Sequence, residues 1–214
     1  VLSFAFFCRK ANIAKLKAEF EDGNTRLGRG LAFHIAPSNV PVNAAFTYVF
    51  GLLAGNANVV RVSSKDFEQV RIICDVIQTM FDSGNYDEIR DMTAFVSYGR
   101  SQEINDELSL MANARIIWGG DATIAEIRKS PIGSRCTELT FADRYSFGIL
   151  NPMKIADDSE EEVKRLAEQF YNDTYLMDQN ACSTPHLILW KSDKSSKAEE
   201  GKKRFWSAVY KEAG

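Results

Sequence analysis

The sequence lacks most of the features that sort a protein quickly. It has almost no charge surplus: 26 Lys and Arg against 29 Asp and Glu leave −3 at pH 7. That balance offers no electrostatic basis for binding nucleic acid or an anionic membrane. No apolar run approaches the roughly 20 residues of a membrane-spanning helix. The apolar start, Val1 to Cys8, has neither a basic leader nor a small-residue cleavage site, so it does not read as a signal peptide. Cysteine is sparse and irregular. Cys8, Cys74, Cys136 and Cys182 fit neither a zinc site nor a disulfide framework, and a reducing, cytoplasmic compartment is the expectation. Neither G-x-G-x-x-G nor a Walker motif is present, so a nucleotide would bind in a less standard way. The chain does not begin with Met and stops just after a helical pattern; a piece of a longer protein is expected.

What is present is an alternation of strands and helices. The 214 residues are 45% hydrophobic and 26% charged, ordinary values for a globular chain. After a charged helical run, Ala11 to Glu21, the segments Leu31–Ala36, Asn58–Val62, Thr93–Tyr98 and Ala114–Trp118 read as strands. Helices are expected between them: Val42–Ala54, apolar nearly all round and so buried on most sides, a stripe from Phe67 to Phe81, and Gln102–Ala112. Pro41 suits the first turn of the first of these, and Gly55-Asn56 its end. Ala122–Lys129 is a short helix after the Gly119-Gly120-Asp121 turn. The pattern predicts a doubly wound, mainly parallel, Rossmann-like α/β sheet. Beyond Pro131 the character changes. Arg135–Phe141 and Ser146–Leu150 read as strands around a polar turn, 151–157 as a linker, and Ser159 or Asp158 as the cap of a helix. Leu187–Trp190 is a strand, 192–203 a solvated connection, and Phe205, Trp206 and Val209 a last helical face. A boundary is expected near 147, with a nucleotide-binding domain over 1–146 (1–29 a lead-in) and the beginning of a second, catalytic α/β domain over 147–214.

In such sheets ligands bind outside the carboxyl ends of the strands. Three strand ends qualify: Pro37–Pro41, Ser63–Lys65 and Gly119–Asp121. The glycine pair would let backbone approach a phosphate at a helix start, though most such pairs are plain turns. The other stretch that draws notice is Met177-Asp178-Gln179-Asn180-Ala181-Cys182-Ser183-Thr184-Pro185-His186. Its cysteine has polar neighbours, and Pro185 stops a helix from running through it. A thiol on a short hydrogen-bonded loop between two rigid elements is how a nucleophile is presented; an inconsequential surface cysteine fits the same residues. His186 does not pair with it, because four extended residues span about 13 Å. His34, inside a strand pattern, reads as a satisfied core histidine.

Pro37-Ser38-Asn39-Val40-Pro41, Leu52 to Arg61, the Gly119-Gly120 turn and Gln179-Asn180-Ala181-Cys182 occur in the order and character of the aldehyde dehydrogenase superfamily. The chain resembles most its LuxC-type acyl-CoA reductase branch, where D-Q-N-A-C-S is a typical nucleophile loop. The resemblance covers roughly residues 30 to 190 and implies an aldehyde dehydrogenase-like fold. It implies that Cys182 holds an acyl group as a thioester, and that Asn39, with the Cys182 backbone N–H, donates to the oxyanion. Asn39 can also cap the helix at Pro41. Glu138 matches, without the glycines that follow it in oxidising relatives, a glutamate that activates hydrolytic water; an ordinary strand carboxylate fits as well.

The superfamily's Lys-Pro-Ser-Glu is here Arg61-Val62-Ser63-Ser64. An acid there would hold ribose hydroxyls and repel a 2′-phosphate, whereas arginine and hydroxyls accept one, so the resemblance implies NADPH in preference to NADH. Arg61, Ser63, Ser64, Gly119, Gly120 and Asp121 are the candidate cofactor residues, and no metal is implied. The expected function is NADPH-dependent reduction of a cysteine-bound acyl group to the aldehyde. The donor would be acyl-CoA, another activated acyl group or an acyl-transferring partner protein, and the enzyme is compatible with a homo-oligomer. The competing functions are oxidation of an aldehyde followed by hydrolysis or by acylation of CoA, a working base at Glu138 being the mark of hydrolysis, and a non-catalytic nucleotide-binding module, for which a buried, unreactive Cys182 is the mark.

Overall fold

The computed structural model describes residues 1–176, 179, 181–192 and 195–214. The chain divides into two compact units, Val1–Ala142 and Asp143–Gly214.

The first unit begins with two helices, α1 (Leu2–Phe7) and α2 (Lys10–Phe20), and then alternates: β1 (Leu31–Ile35), α3 (Asn43–Leu53), β2 (Ala57–Arg61), α4 (Glu68–Asp82), α5 (Asp87–Asp91), β3 (Thr93–Val96), α6 (Gln102–Met111), β4 (Ala114–Trp118), α7 (Asp121–Ile127) and β5 (Thr137–Phe141). The strands form a five-stranded sheet in the order β3-β2-β1-β4-β5, and every pairing is parallel. Parallel strands are buried on both faces and read as near-continuous apolar runs, which is how Leu-Ala-Phe-His-Ile and Ala-Arg-Ile-Ile-Trp read. Helices cover the two faces. Ala44 and Tyr48 of α3 and Ile77 of α4 pack with Val60 on one; Ile124 and Ile127 of α7, with Ala112 just after α6, pack with Phe33, Ile35 and Ile117 on the other. This is the doubly wound α/β sheet that the alternation predicts.

Local chemistry accounts for the ends of the elements. α3 stops at Gly55, whose φ of +76° suits a residue without Cβ. There Gly55 N donates to Leu52 O at 2.8 Å and Asn56 N to Gly51 O at 3.1 Å, a Schellman closure. The start of α3 departs from expectation: it is capped by Val42 without a side-chain bond, so Pro41 precedes the helix and Asn39 is not its cap. As its composition predicts, α3 is buried on most sides, with Ala44, Ala45, Thr47, Tyr48 and Gly51 buried; Phe50 and Leu53 are the two exposed positions, each 51%. Part of its outer face is taken up by α1, where Phe4 meets Phe46 and Phe7 meets Phe46 and Phe50. α5 carries no apolar stripe that periodicity could register.

His34 sits on β1 with 2% exposure and is fully satisfied, as its place in the strand pattern predicts. The Asn58 amide nitrogen donates to Asn56 O at 2.7 Å, so Asn58 Oδ1 is the group facing His34 Nε2 at 2.9 Å. Nε2 therefore carries the proton, and Nδ1 accepts from the Thr47 hydroxyl at 2.7 Å. Trp118 Nε1 in turn donates to Thr47 Oγ1 at 3.4 Å.

The second unit holds β6 (Ser146–Leu150), α8 (Pro152–Asp157), α9 (Glu160–Thr174), β7 (Pro185–Trp190) and α10 (Ser196–Ala213). β6 and β7 pair in parallel, so the strands on either side of the Ala142-Asp143-Arg144 turn belong to different sheets. Two expectations are corrected here. Residues 151–157 are a helix, not a linker: the Asn151 side chain accepts from Met153 N and Lys154 N at 3.0 and 3.3 Å, and Pro152 takes the first turn, where its missing N–H costs nothing. Most of 192–203 is the first half of α10 rather than a connection. Ser195 caps it through Ala198 N, and Gly201 is a close contact: a Cβ there would lie 1.8 Å from Pro152 O. Ser159 caps α9 in a reciprocal capping box with Glu162. Ile155, Val163, Ala167, Phe205 and Val209 form the core of the unit. Phe205 is fully buried, and losing such a side chain typically costs about 3–5 kcal/mol.

Burial pushes the His34 pKa below the ordinary histidine value, against an opposing contribution from its Asn58 bond. Below about pH 6.5 the unfolded chain therefore takes up a proton that the folded one resists. Stability is expected to be intact above that pH and to fall as pH falls through it. Denaturant melts at pH 7.5 and 5.5 should show the loss, and His34→Gln should remove part of it; an identical pH dependence in the variant would assign the effect elsewhere.

Candidate active site

In the first unit the strand order places a topological switch between β1 and β4, where connections depart in opposite directions. The register makes the carboxyl edge level. Ile35 is opposite Arg61 and Ile117, Arg61 is opposite Val96, and Ile117 is opposite Thr140. The loops that follow leave this edge side by side. Asn39 lies exposed in the loop after β1. Arg61 closes β2, and Ser63 and Ser64 follow it. Gly119 and Gly120 follow β4. All the candidate cofactor residues thus share one edge of one sheet.

Their environments differ. The Arg61 guanidinium lies over the Tyr98 ring, 4.5 Å from its centroid, and Nη2 reaches the carbonyls of Tyr98 and Gly99 at 3.5 and 3.3 Å. Those bonds are at the long limit, so the ring contact is the firmer hold. Ser63 Oγ accepts from Lys65 N at 3.1 Å, turning the chain away from the sheet. At Gly119 a Cβ would come within 3.0 Å of Thr123 Cγ2, so glycine is needed for the close approach of α7 to the strand. Gly120 is extended and caps α7 without a side-chain bond, and Asp121 is the first helical residue, a favourable place for negative charge. Trp118 and Phe141 stack at the ends of β4 and β5, with centroids 3.9 Å apart and planes within 8°.

Glu138 lies inside β5, away from that edge, and is committed to two arginines. Arg115 Nε donates to Oε2 at 2.9 Å, with Nη2 on the same oxygen, and Arg128 Nε donates to Oε1 at 2.7 Å. Partial burial opposes its ionisation, but the hydrogen bonds and charges of Arg128 and Arg115 outweigh burial and hold the carboxyl below its ordinary range. A general base works best with a pKa near the operating pH, and a carboxylate held ionised by two guanidiniums is poorly suited to take a proton from water.

In the second unit Cys182 sits at the tip of a turn. Thr184 N donates to Ala181 O at 3.0 Å, which puts Cys182 and Ser183 at its two central positions. The turn is pinned from both sides. Thr184 is 1% exposed and its hydroxyl donates to Asp173 O near the end of α9 at 3.4 Å; the Ser146 hydroxyl donates to the Cys182 carbonyl at 2.8 Å. Gln179, with φ at 59°, holds a left-handed conformation that L residues adopt at some cost. Met177, Asp178 and Asn180 of this loop lie outside the described residues. His186, at an irregularity in the β6–β7 register, rests against Tyr145 with ring centroids 5.3 Å apart. Of the four cysteines, all described, Cys182 alone is exposed. Burial pushes the thiols of Cys8, Cys74 and Cys136 up.

Sequence reasoning passes over Ser146, Tyr98 and Arg115, and it names Thr184 only among the polar neighbours of Cys182. Only Arg115 leaves a signal, a charge inside an apolar strand that demands a partner. Among the described residues no group of His, Cys, Asp and Glu is arranged to hold a metal, and no helix is long and apolar enough to cross a membrane.

The sequence profile of the family described as acyl-CoA reductase (LuxC) matches residues 12–213. The chain belongs to this LuxC family. It is 25% identical over 169 residues to the long-chain acyl-protein thioester reductase of Vibrio harveyi, an alignment covering 78% of this chain and 33% of that protein. Its fold is that of aldehyde dehydrogenases. A putative aldehyde dehydrogenase, PutA from Anabaena variabilis, superimposes with a TM-score of 0.60 at 19% identity, over 86% of this chain and 35% of that one. The Mycobacterium tuberculosis aldehyde dehydrogenase complexed with NAD+ does so with a TM-score of 0.58 at 16% identity, over 86% and 34%. This LuxC chain spans about a third of the length of the relatives it matches.

Two outcomes are expected. Glu138→Gln should destabilise the protein by about 2–4 kcal/mol, because it strands a buried guanidinium, while Arg115→Met combined with Glu138→Leu should cost less than the single change. An unchanged denaturation midpoint in Glu138→Gln would free Glu138 for other roles. With a mild alkylating reagent, peptide mapping should find Cys182 modified well before the other three cysteines; equal rates would mean that the exposed turn confers no selectivity.

Proposed function

We infer that this chain carries the nucleotide-binding unit and the nucleophile turn of an acyl reductase, one that reduces an acyl group held on Cys182 to the aldehyde. The carrying observation is the exposed thiol on a doubly pinned turn in a member of the LuxC family.

The chemistry follows from the residue. The Cys182 thiolate attacks the carbonyl carbon of an activated acyl donor. The donor's thiolate, or another leaving group, departs with the bonding pair and takes up a proton, and the acyl group remains as an enzyme thioester. A thioester accepts hydride where a free carboxylate does not. A nicotinamide cofactor, when bound, would supply that hydride. Hydride on the thioester carbon leaves a tetrahedral oxyanion still bonded to Cys182; as its C=O bond re-forms, the Cys182 thiolate leaves with the C–S bonding pair and the aldehyde is released. Ser146 and Thr184 hold the turn while the sulfur changes partners. Asn39 is proposed as an oxyanion donor; such a donor is typically worth 100- to 1000-fold in rate.

The residues at the carboxyl edge suit a phosphorylated cofactor. Residues 61–65, Arg-Val-Ser-Ser-Lys, offer cations and hydroxyls and no carboxylate, a donor set that accepts a 2′-phosphate. Among the described residues Arg61 makes no salt bridge with a carboxylate, so its charge is available to an anion. NADPH is therefore the proposed cofactor, in preference to NADH, with Gly119, Gly120 and Asp121 beside it on the same edge. The acyl donor is a CoA thioester or another activated acyl group, including one delivered by a partner protein. Oxidation ending in hydrolysis needs a water-activating base, and Glu138 is held as a carboxylate by two arginines. The non-catalytic reading needs a buried Cys182, and it is exposed.

The test is an intact-mass measurement after incubation with acyl-CoA. Wild-type protein should gain one acyl mass, which is lost on adding NADPH as aldehyde appears. Cys182→Ser should abolish both, since a hydroxyl without a neighbouring base is a far weaker nucleophile. Aldehyde formation at the normal rate by Cys182→Ser would sink the covalent mechanism.

A further inference from the structure

Two arginines end up in or beside this sheet with opposite fates. Arg115 is buried and neutralised by Glu138. Arg61 is half-buried at the carboxyl edge, has no carboxylate partner among the described residues, and is held by a ring instead. That ring is itself tethered. The Tyr98 hydroxyl donates to Asn105 Oδ1 at 2.8 Å, and Asn105, on α6, is 7% exposed with its own backbone N bonded to Ser101 O. Ser101 caps α6 through Ile104 N. A chain of contacts therefore runs from the start of a covering helix, through a buried amide and a phenol, to the face of an uncompensated guanidinium.

We propose that Tyr98 is a positioning residue for cofactor discrimination: tethered by Asn105, its ring fixes the plane of Arg61 so that the guanidinium presents its free edge to a phosphomonoester on the ribose. The proposal rests on the reading of Arg61 as the 2′-phosphate ligand. Its physical basis is pre-organisation. A free arginine side chain loses much rotamer freedom on binding, and one already held over a ring has lost part of it beforehand. The ring lies against the guanidinium carbon and Nη2 leans on two carbonyls; the remaining N–H groups are the ones left to meet a phosphate. A 5′-phosphate or unsubstituted ribose makes no use of this edge, so the arrangement acts on the difference between two nucleotides rather than on nucleotide affinity as such.

The experiment is calorimetric titration of the full chain with 2′,5′-ADP and with 5′-AMP, neither of which requires turnover. Wild type should prefer 2′,5′-ADP, and Arg61→Gln should erase the preference. Tyr98→Leu should weaken 2′,5′-ADP about three- to tenfold, the range a lost cation–π contact allows, and move 5′-AMP less than about twofold. Tyr98→Phe keeps the ring and loses the tether, and should weaken 2′,5′-ADP by about two- to threefold, the low end of the same range. No preference in wild type, or an undiminished one in Arg61→Gln, would remove the 2′-phosphate reading and this proposal with it. An erased preference in Arg61→Gln beside an intact one in Tyr98→Leu would leave that reading standing and overturn the role of Tyr98. Should Tyr98→Leu melt below wild type, Tyr98→Phe decides, and full retention of the preference there overturns the proposal.

Discussion

The buried guanidinium of Arg115 is the constraint on which the first unit turns. It is 2% exposed in a strand that is otherwise apolar, and taking an ion out of water costs several kcal/mol unless partners replace the solvent. They come from three directions: Ser109 Oγ on α6, the carbonyls of Ile127 and Ser130 at and beyond the end of α7, and Glu138 on β5. One side chain thus specifies which helices cover this face and which strand sits beside β4. Shifting β5 by one residue would turn Glu138 to the opposite face and leave the charge unpaired. The cost of that error favours the register of β5 against β4, one of the pairings that make the carboxyl edge level.

The edge then inherits its chemistry from the loops. Each loop begins at the same height, so residues far apart in sequence, Asn39, Ser63, Tyr98 and Gly119, stand in one row. The opposite face is held by a neutral network, His34 with Thr47 and Asn58. It joins β1 and β2 to α3, and through Trp118 Nε1 it joins the end of β4 as well. Polar groups buried in this way specify arrangement more than they add stability, and here what they arrange is the set of strands that end at the switch.

The second unit solves a different problem, that of showing a thiol to its surroundings without letting it move. α9 and α10 close a core around Phe205, and Gly201 lets α10 come down onto the Pro152 carbonyl. The turn is then anchored at its buried end by Thr184 and at its carbonyl by Ser146. Neither anchor touches the sulfur.

The sequence by itself determined the class of fold, because strand and helix periodicities are local and parallel strands announce themselves as apolar runs. It also determined His34 as a core residue and the ends of most elements, since caps such as Ser159 and stops such as Gly55 act within a few residues. It under-read 151–157 and 196–203, where an Asn-Pro start and a glycine contact replace the apolar stripe as the reason for a helix. Only the tertiary structure decided which charges are free. As letters Arg61, Arg115 and Glu138 are each a single charge in a strand. Arg115 and Glu138 cancel because adjacent strands place them opposite each other, 23 residues apart in sequence, and Arg61 remains available because the segment it meets, after β3, offers a ring and carbonyls but no acid. Electrostatic partnership depends on distance and burial, and both are set by packing between segments that no local pattern connects.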